Sequence, residues 1–518
     1  MATKNIHDDT IAAISTPPAG EGGIGIVRLS GGSSLSIADK IFQIKHTVDS
    51  QPSQDTHNAQ NQEFSPETCS SPERPSGFLS HTIHYGWIVE NTNGSSSVID
   101  EVLLTVMHAP RTYTREHIVE INCHGGQGVL KKILELCLKH GARIAEPGEF
   151  TKRAFMNGRI DLSQAEAVCD LIRARTDKAA AIAASRIKGR LSQKIKDTRN
   201  KLLNLTADME VSLDYSEEDI QFSTPQDTLN SIRSIRTDLQ ELVEASQKAN
   251  VYTDGIRVSI IGRPNVGKSS LLNSILSEDR SIVTSEPGTT RDVVSETFNL
   301  NGIPVTIMDT AGIRSHYSSR LEYLSSERTQ SAIEKSDIVL FVMDASQGAS
   351  EEDELVTKLI NAANTEKVIL VLNKTDIKPV TKSGGDIFKK ISREISADCT
   401  VQCSALSGEG ITELENAIYK ISTCPAAETS NPPRGCVSTG GSPDISSSSI
   451  IANARQVQSL VKAAKQLEEA LSALHNKHAP EFVVIYVRSA IDCLGEIIGE
   501  TTTEEMLDLI FSKFCVGK

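Results

Sequence analysis

The chain has 518 residues, of which 38 % are hydrophobic and only 4 % aromatic, so it is long enough for three or four domains with real cores packed by Leu and Ala. Its formal net charge is −14. This acidic balance argues against broad electrostatic adhesion to nucleic acid or to an anionic membrane, and any nucleic-acid role needs a local basic patch or a partner.

The first part of the chain mixes strand and helix patterns. Strand patterns occur at 9–14, 25–29, 102–106 and 118–122, and a helix pattern occurs at 129–137. They predict an N-terminal α+β domain over residues 1–159. Arg28, on one of the short strands, is either an anion ligand or a surface charge, and spacing alone favours the surface charge.

Two stretches differ from their surroundings. Residues 46–78 are rich in Ser, Gln, Asp, Glu and Pro without apolar periodicity, and residues 426–449 have a similar composition. Neither stretch holds enough apolar surface to offset the entropy of ordering it. We expect a polar insertion at 46–78 and a polar linker at 424–449.

Helical patterns flank the centre of the chain. Apolar residues recur at spacings of three and four from Leu191 to Met209, and again from Val457 to Leu474, so each stretch has one apolar face. Neither face is bulky enough for its own core. We expect one discontinuous helical domain, 160–254 and 450–518, with another domain inserted; separate helical appendages are the alternative.

The inserted region opens with a glycine loop. A strand pattern at 256–261 leads into Gly-Arg-Pro-Asn-Val-Gly-Lys-Ser at 262–269, and a helix pattern follows. Strand, loop and helix in this order are typical of a P-loop. Its N–H groups would hold phosphate oxygens, Lys268 would reach the β and γ phosphates, and Ser269 would ligate Mg²⁺.

The strand pattern at 303–308 ends in Asp309-Thr310-Ala311-Gly312. There the carboxylate can face Mg²⁺ through water and the glycine N–H can sense the γ-phosphate. Many small GTPases place Gln directly after this glycine to orient the attacking water. Here the residue is Ile313, which cannot hold water by hydrogen bonding. Some other group must orient the water, or hydrolysis is very slow.

Two further motifs predict specificity for guanine. Asn373-Lys374-Thr375-Asp376 follows an apolar strand pattern, and Ser404-Ala405 follows another. Asp376 can accept both N–H donors on one edge of guanine, whereas adenine would leave that carboxylate unpaired. Because ligands of doubly wound sheets bind at the carboxyl ends of the strands, the order of the motifs predicts a GTPase domain over 255–423.

Cysteine usage and the N-terminus indicate the compartment. Ten cysteines include no C-x-x-C pair, and Cys399 and Cys403 have no second pair to complete a zinc site. The first nine residues contain no signal-peptide core, and the apolar run at 338–343 is too short to span a membrane. We expect a cytoplasmic protein with reduced thiols and no membrane contact.

Several longer stretches are distinctive. Near the start they read Asp-Thr-Ile at 9–11, Thr-Pro-Pro at 16–18 and Gly-Ile-Gly-Ile-Val-Arg-Leu-Ser-Gly at 23–31. Further on they read Tyr-Thr-Arg-Glu-His-Ile-Val-Glu-Ile-Asn-Cys-His-Gly-Gly at 113–126, Pro-Gly-Glu-Phe-Thr-Lys-Arg-Ala-Phe at 147–155, Asp-Leu-Ser-Gln-Ala-Glu-Ala at 161–167, Gly-Thr-Thr-Arg-Asp at 288–292 and Phe-Cys-Val-Gly-Lys at 514–518. From residue 9 to residue 518 the chain resembles the tRNA modification GTPases called MnmE or TrmE, with Val516 where the family usually has Ile.

The resemblance implies an N-terminal folate-binding and dimerisation domain, a discontinuous helical domain and an inserted P-loop GTPase domain with a doubly wound mixed sheet. It implies a homodimer that works with a flavoprotein of the MnmG type, in a heterotetramer. Together they would place an aminomethyl or carboxymethylaminomethyl group on carbon 5 of the wobble uridine of certain tRNAs. The one-carbon donor would be a reduced folate, 5-formyl- or methylene-tetrahydrofolate.

By motif match, Arg28, Glu120 and Arg159 would contact the folate, with Lys518 nearby. Arg159 stands where Lys is also common, so the cation is kept, and Arg can pair bidentately with a carboxylate of the glutamate tail. Cys515 is either a residue of the modification chemistry, activated by cations such as Lys513, or a small buried apolar residue.

The resemblance also implies that K⁺ takes the place of an arginine finger where two GTPase domains meet. Asn265, Thr284, Glu286 and Thr289 would surround K⁺, and Thr290 would join Ser269 on Mg²⁺. Glu322 would orient the water and act in catalysis with Lys268 and Asp309; Glu327 is the alternative, because the spacing differs by one residue. The other implied GTP contacts are Val266, Gly267, Ser270, Ser285, Pro287, Gly288, Thr310, Ala311, Gly312, Thr375 and Leu406.

Two other functions compete. The alternative from another class is a GTP-switched ribosome-assembly factor, which would usually have a basic RNA-binding domain that this sequence lacks. The third is a stand-alone folate-dependent one-carbon transferase with a regulatory GTPase. The absence of a flavin or nicotinamide fingerprint argues against a self-sufficient enzyme of that kind.

Overall fold

The computed structural model describes residues 9–17, 22–44, 75–92, 95–214, 224–276, 295–309, 327–363, 365, 367–377, 382–423 and 450–517. Most of the two predicted polar stretches lies outside these ranges. The chain divides into two compact units, unit 1 with Met1–Glu166 and Thr502–Lys518, and unit 2 with Ala167–Thr501.

Unit 1 is built on a seven-stranded sheet with the order β3-β4-β5-β6-β2-β1-β7. Its strands are β1 (Ile11–Ile14), β2 (Ile24–Ser30), β3 (Phe42–Ile44), β4 (Thr82–Thr92), β5 (Ser95–Met107), β6 (Ile118–His124) and β7 (Arg143–Ile144). All neighbours pair antiparallel except β1 with β7. Along β2 and the second half of β5, buried side chains alternate with more exposed ones, as in a sheet with one open face.

Helices α1 (Ser34–Ile41) and α2 (Gln127–Lys139) cover one face of this sheet. Helix α3 (Glu149–Met156) packs on the other face at β1, where its Phe150 joins Ile11 and Ala13. A 3₁₀ turn occurs at Pro75–Gly77, and α4 (Leu162–Arg173) runs across the division between the units. Ile37 of α1 and Ile133 of α2 join one apolar core with Leu29, Leu104 and Ile121 of the sheet. The structure confirms the predicted strands and the predicted helix, whereas β3, β4, β7, α1 and α3 are additions.

Further helices belong to unit 2. In chain order they are α5 (Asp177–Ile187), α6 (Arg190–Asp214), α7 (Pro225–Asp254), α8 (Lys268–Ile275), α9 (Glu327–Glu334), α10 (Glu351–Ala362), α11 (Lys382–Glu394), α12 (Ile411–Thr423), α13 (Ala454–His475) and α14 (Pro480–Ile498). Leu202 of α6, Leu239 of α7, Leu467 of α13 and Val487 of α14 share one apolar core. Helices from both sides of the inserted region therefore pack together, which separate appendages would not do.

The second sheet of unit 2 has six strands in the order β13-β12-β11-β8-β10-β9. They are β8 (Ile256–Ile261), β9 (Ser295–Leu300), β10 (Ile303–Asp309), β11 (Ile338–Asp344), β12 (Val368–Asn373) and β13 (Cys399–Gln402). Neighbours pair parallel except in the β9–β10 hairpin. Every residue of β11 and β12 is buried, because helices cover both faces of a parallel sheet. This is the predicted mixed, doubly wound sheet.

Residues 502–518 belong to unit 1. The sequence analysis had assigned them, with the rest of 450–518, to the helical domain. The last helix, α15 (Glu504–Phe511), meets α3 through an ion pair of 2.6 Å between Lys152 and Asp508. The Gly148 N–H donates to the Cys515 carbonyl at 3.3 Å, and the Ser15 hydroxyl donates to the Gly517 carbonyl at 3.2 Å.

Among the described helices, none is both long and apolar enough to cross a membrane.

Candidate functional site

The turn between β8 and α8 has the backbone of an anion-binding loop. Positive φ angles occur at Gly262 (157°), Asn265 (65°) and Gly267 (94°). A Cβ atom on Gly262 would lie 2.3 Å from the Val342 carbonyl, and one on Gly267 would lie 2.4 Å from Asn373 Nδ2, so neither position admits a side chain. Such a loop before a helix N-terminus presents N–H groups to phosphate.

Lys268 begins α8 and is only 7 % exposed. Its ammonium donates to the carbonyls of Gly262 and Arg263, both at 2.9 Å, so a cation lies across the loop. Ser269 is exposed beside it. Its hydroxyl is a hard oxygen donor of the type that Mg²⁺ takes, and the exposed amide of Asn265 offers another such oxygen.

Asn373, at the end of β12, joins two loops of the site. Its Nδ2 donates to the Val266 carbonyl at 2.8 Å, and its Oδ1 accepts the Ala405 N–H at 3.0 Å. The side chain is almost completely buried. Asn373 therefore fixes the phosphate loop relative to the Ser404-Ala405 loop through their main chains.

The carboxylate of Asp376 is held from one side. Ser404 Oγ donates to Asp376 Oδ1 at 2.6 Å, and the Ser407 N–H donates to Ser404 Oγ at 3.2 Å. Asp376 itself is exposed. Leu406 and Ile377, from the same two loops, expose large apolar side chains, which a planar base could cover.

Asp344 belongs to this edge as well, although the sequence analysis did not single it out. It ends β11, is 2 % exposed and pairs with Lys374 Nζ at 2.8 Å, and Lys374 also donates to the Asn265 carbonyl at 2.6 Å. Burial would raise the pKa of Asp344, but hydrogen bonds from Lys374 and Ser346 outweigh it and hold the pKa below its usual value. The sequence signal for Asp344 is its position directly after the apolar run 338–343.

The structure thus brings together Asn265, Lys268, Asn373, Asp376 and Ser404 at the carboxyl edge of the sheet. Asp309 ends β10 at that edge. Part of the expected contacts lies outside the described residues: Thr284, Ser285, Glu286, Pro287, Gly288, Thr289, Thr290, Thr310, Ala311, Gly312 and Glu322. The side chains of Asp309 and Glu327 lie outside them too.

In unit 1, Arg28 and Glu120 are direct partners in the register of β2 and β6. Arg28 Nε donates to Glu120 Oε1 at 2.7 Å, with the side chains 18 % and 22 % exposed. The Arg28 guanidinium carbon lies 5.7 Å from the ring centre of the buried Phe150. The surface charge that spacing favoured is therefore wrong for Arg28, which is paired and largely shielded.

Arg159 lines a cleft of about 440 Å³ together with Met107, Pro110, Arg111, Thr112, Tyr113 and Arg115. Its guanidinium carbon lies 4.7 Å from the ring centre of Tyr113. Lys518 lies outside the described residues. Cys515 is exposed, which does not fit the alternative of a small buried residue.

A charge cluster in unit 1 surrounds the buried Arg153. Arg153, 3 % exposed, contacts Asp9 at 2.6 Å, Glu149 at 3.1 Å and Glu116 at 3.2 Å, and Arg143 pairs with Asp9 and Glu149. Burial would raise the pKa values of Asp9 and Glu149, but hydrogen bonds from the two arginines outweigh it and lower both pKa values. The cluster therefore stays charged at neutral pH.

The buried thiols are unreactive. Burial raises the pKa of Cys123 to about 11 and that of Cys403 to about 12, so neither forms a thiolate at neutral pH. Within the described ranges, no group of three or more His, Cys, Asp or Glu side chains is placed to hold a metal ion.

Two family models together match most of the chain and meet near residue 160. The family model for the MnmE helical domain matches residues 162–515, and the model for the GTP-binding protein TrmE N-terminus matches residues 10–159. Solved structures with similar parts include Aquifex aeolicus Era bound to GDP and aluminium fluoride, 27 % identical over 41 % of this chain and 66 % of that chain, with a TM-score of 0.26. The FeoB G-domain of Methanococcus jannaschii is 27 % identical over 33 % of this chain and 98 % of that chain, with a TM-score of 0.24.

Curated relatives match along the whole length. The tRNA modification GTPase MnmE of Acetivibrio thermocellus is 40 % identical over 511 residues, 99 % of either chain. The protein of that name from Bacillus subtilis is 40 % identical over 98 % of this chain and 100 % of its own, and that from Clostridioides difficile is 41 % identical over 99 % of each. These relatives and the helical-domain model show that the chain belongs to the MnmE (TrmE) family of tRNA modification GTPases and is a GTP-hydrolysing enzyme.

Proposed function

We propose that the protein couples GTP hydrolysis to modification of carbon 5 of the wobble uridine in certain tRNAs. It would act in the cytoplasm as a homodimer with an MnmG-type flavoprotein, forming a heterotetramer, and would use a reduced one-carbon folate. The observation that supports this most is the set of loops joined by Asn373 at the edge of the second sheet, which unites a phosphate loop with a base loop.

Specificity for guanine rests on Asp376. Its Oδ1 accepts the Ser404 hydroxyl, which orients the carboxylate toward a base edge with two N–H donors. We expect turnover of GTP and not of ATP, and Asp376→Asn should weaken GTP binding while admitting xanthosine nucleotide. Equal turnover of ATP and GTP by the wild type would exclude this assignment.

Hydrolysis needs a group that neutralises charge on the transferred phosphate. Ser269 and Thr290 would hold Mg²⁺, which supplies part of that charge, and Asn265 with residues 284–289 would hold K⁺. Since Ile313 replaces the usual Gln, we expect faster hydrolysis in K⁺ than in Na⁺ at equal ionic strength. Equal rates in the two salts would mean that another group acts there.

The attacking water would be oriented by Glu322. Glu322→Ala should lower GTP turnover by roughly 10²–10⁴-fold with nearly unchanged GTP affinity, because a positioning carboxylate acts in the transition state. Glu327→Ala is the matched control five residues later. Loss of turnover in Glu327→Ala alone would move the role to Glu327.

The dimer would form through unit 1. Ile83, Tyr85 and Leu103 expose large apolar side chains on neighbouring strands, with Tyr85 directly opposite Leu103. An apolar patch on an open sheet face is the kind of surface that a second copy covers. Tyr85→Lys with Leu103→Lys should shift the protein toward the monomer in sedimentation equilibrium, and an unchanged dimer would exclude this face.

Folate would bind at Arg28, Glu120 and Arg159, with Lys518 nearby. Arg28→Ala should weaken a reduced folate and leave GTP affinity unchanged, since the two sites belong to different units. If calorimetry detects no heat of binding for 5-formyl- or methylene-tetrahydrofolate, the protein does not use folate and this part of the proposal is wrong.

The decisive test of the proposed function is nucleoside analysis of tRNA from cells that lack the protein. We expect loss of the modified wobble uridine. Intact modification together with accumulated ribosomal precursors would favour the ribosome-assembly factor.

A further inference from the structure

The cleft at Arg159 holds more positive charge than one folate contact needs. Three guanidinium groups line it, from Arg111, Arg115 and Arg159, and none of the described residues that line it is Asp or Glu. All three arginines are exposed, and no carboxylate of the described residues pairs with any of them. In a chain with a net charge of −14, this concentration of cations indicates an anionic ligand.

Two of the three guanidinium groups are positioned before any ligand arrives. Arg115 Nη1 donates to the Asn157 carbonyl at 2.8 Å. Arg159 lies over the ring of Tyr113, and the Tyr113 hydroxyl shares a hydrogen bond of 3.0 Å with Thr151. Side chains held in this way lose little further freedom on binding, which favours affinity.

The cleft and the Arg28–Glu120 pair share a wall. Tyr113 packs against the small core that contains Phe150, and the Arg28 guanidinium lies over the Phe150 ring. Both sites therefore border the same small core, and an elongated anion is the kind of ligand that would use the two together. A folate is such a ligand, with a ring system at one end and glutamate carboxylates at the other.

We infer that Arg111 and Arg115 extend Arg159 into a subsite for the glutamate tail, and that the protein prefers polyglutamyl folates. This inference rests on the folate part of the proposed function. A monoglutamyl tail ends in two carboxylates, and every further γ-linked glutamate adds one. Three arginines can pair with more carboxylates than the short tail offers, and each Arg–carboxylate pair can form two parallel hydrogen bonds.

The test is calorimetry on the full-length protein with 5-formyltetrahydrofolate as the monoglutamate and as the triglutamate. We expect the wild type to bind the triglutamate about 10-fold tighter or more, since each further carboxylate can form charge-assisted hydrogen bonds with a guanidinium group. Arg111→Gln with Arg115→Gln should reduce that advantage to about 3-fold or less, because it should weaken the triglutamate more than the monoglutamate.

Lys131→Gln is the matched control, because Lys131 is an exposed cation on α2 outside the cleft. It should keep the full advantage of the triglutamate, and the thermal midpoint of each variant reports its folding. Equal affinity for the two folates in the wild type overturns the subsite and leaves the folate site in place. No binding of either folate overturns the folate proposal together with the subsite. If the double Gln variant weakens tRNA binding but keeps the triglutamate advantage, the cleft binds phosphate instead, and the inference is wrong.

Discussion

The two sheets of the molecule keep their polar groups in different places. In the second sheet, β11 and β12 are buried throughout, and Asp344 and Asn373 stand at their carboxyl ends. In the first sheet, Arg28 and Glu120 face each other within their strands. A parallel sheet covered on both faces can offer polar side chains only at its edge, whereas an open-faced sheet can offer every second residue.

The sites are also held together by different interactions. Asn373 joins the nucleotide loops through main-chain groups, so the nucleotide edge depends on backbone geometry. The elements around the first-sheet site are held by the charge cluster of Arg153, Arg143, Asp9, Glu116 and Glu149. The nucleotide edge should therefore be sensitive to local shape, and unit 1 should be sensitive to charge.

The largest expected effect is that of Arg153→Met. Its loss leaves Asp9, Glu116 and Glu149 close together without their buried cation, and the free energy of unfolding of unit 1 should fall by about 3–5 kcal/mol. Native-state hydrogen exchange of β1 and α3 measures it. Arg257→Met, which breaks an exposed pair with Asp337, should cost at most about 1 kcal/mol. An equal loss of unfolding free energy in both variants would contradict the conclusion that unit 1 depends on its charge cluster.

Acid should affect unit 1 first. The pKa values of Asp9 and Glu149 lie below their ordinary values of 3.8 and 4.5. These carboxylates therefore stabilise the fold fully above the ordinary values, and they lose that contribution as the pH falls below those values and through the lowered pKa values. Between about pH 5 and pH 3, β1 and α3 should lose exchange protection before β8 and β12 do. Arg153→Met should flatten this dependence, and an unchanged profile in that variant would place the acid response elsewhere.

A smaller effect is expected from Gly267→Ala. The substitution imposes a positive φ on Ala, which costs about 1–2 kcal/mol, and also sets its Cβ against Asn373 Nδ2. GTP affinity should fall at least about 10-fold. Gly348→Ala has a similar φ of 75° but open space around its Cβ, so it controls for strain alone. Similar GTP affinities in the two variants would show that the contact with Asn373 is unimportant.

The smallest effect concerns one hydroxyl. Ser404→Ala removes the donor to Asp376 and should weaken GTP by about 2–10-fold, because a single hydrogen bond contributes about 0.5–1.5 kcal/mol. Ser407→Ala keeps the N–H that donates to Ser404 and should leave affinity unchanged. Fluorescence titration with a labelled GDP would measure both, and equal affinities would mean that Asp376 is oriented without Ser404.

The contrast also explains what could be predicted from the sequence. Apolar runs closed by short polar motifs revealed β8, β10, β12 and β13 and the edge where their motifs meet. Strand β4 was missed because Gly86 interrupts its pattern; this Gly is required, since a Cβ there would lie 2.3 Å from the Gln43 carbonyl.

Long-range pairs could not be predicted. Glu149 lies four positions from Arg153 on the same helix, but the partners Glu116 and Asp9 are separated from Arg153 by 37 and 144 positions. The docking of α15 depends on Lys152 and Asp508, which are 356 positions apart. Local periodicity shows that α15 is a helix, but it does not show which surface the helix covers.

The position of α15 sets an order for biosynthesis. Lys152 leaves the ribosome long before Asp508, and at about 5–20 residues per second the 356 intervening positions take roughly 20–70 s to translate. During that interval α3 lacks the helix that covers it, while every residue of unit 2 is being made. Unit 1 is therefore the first part of the protein to emerge and the last to be completed.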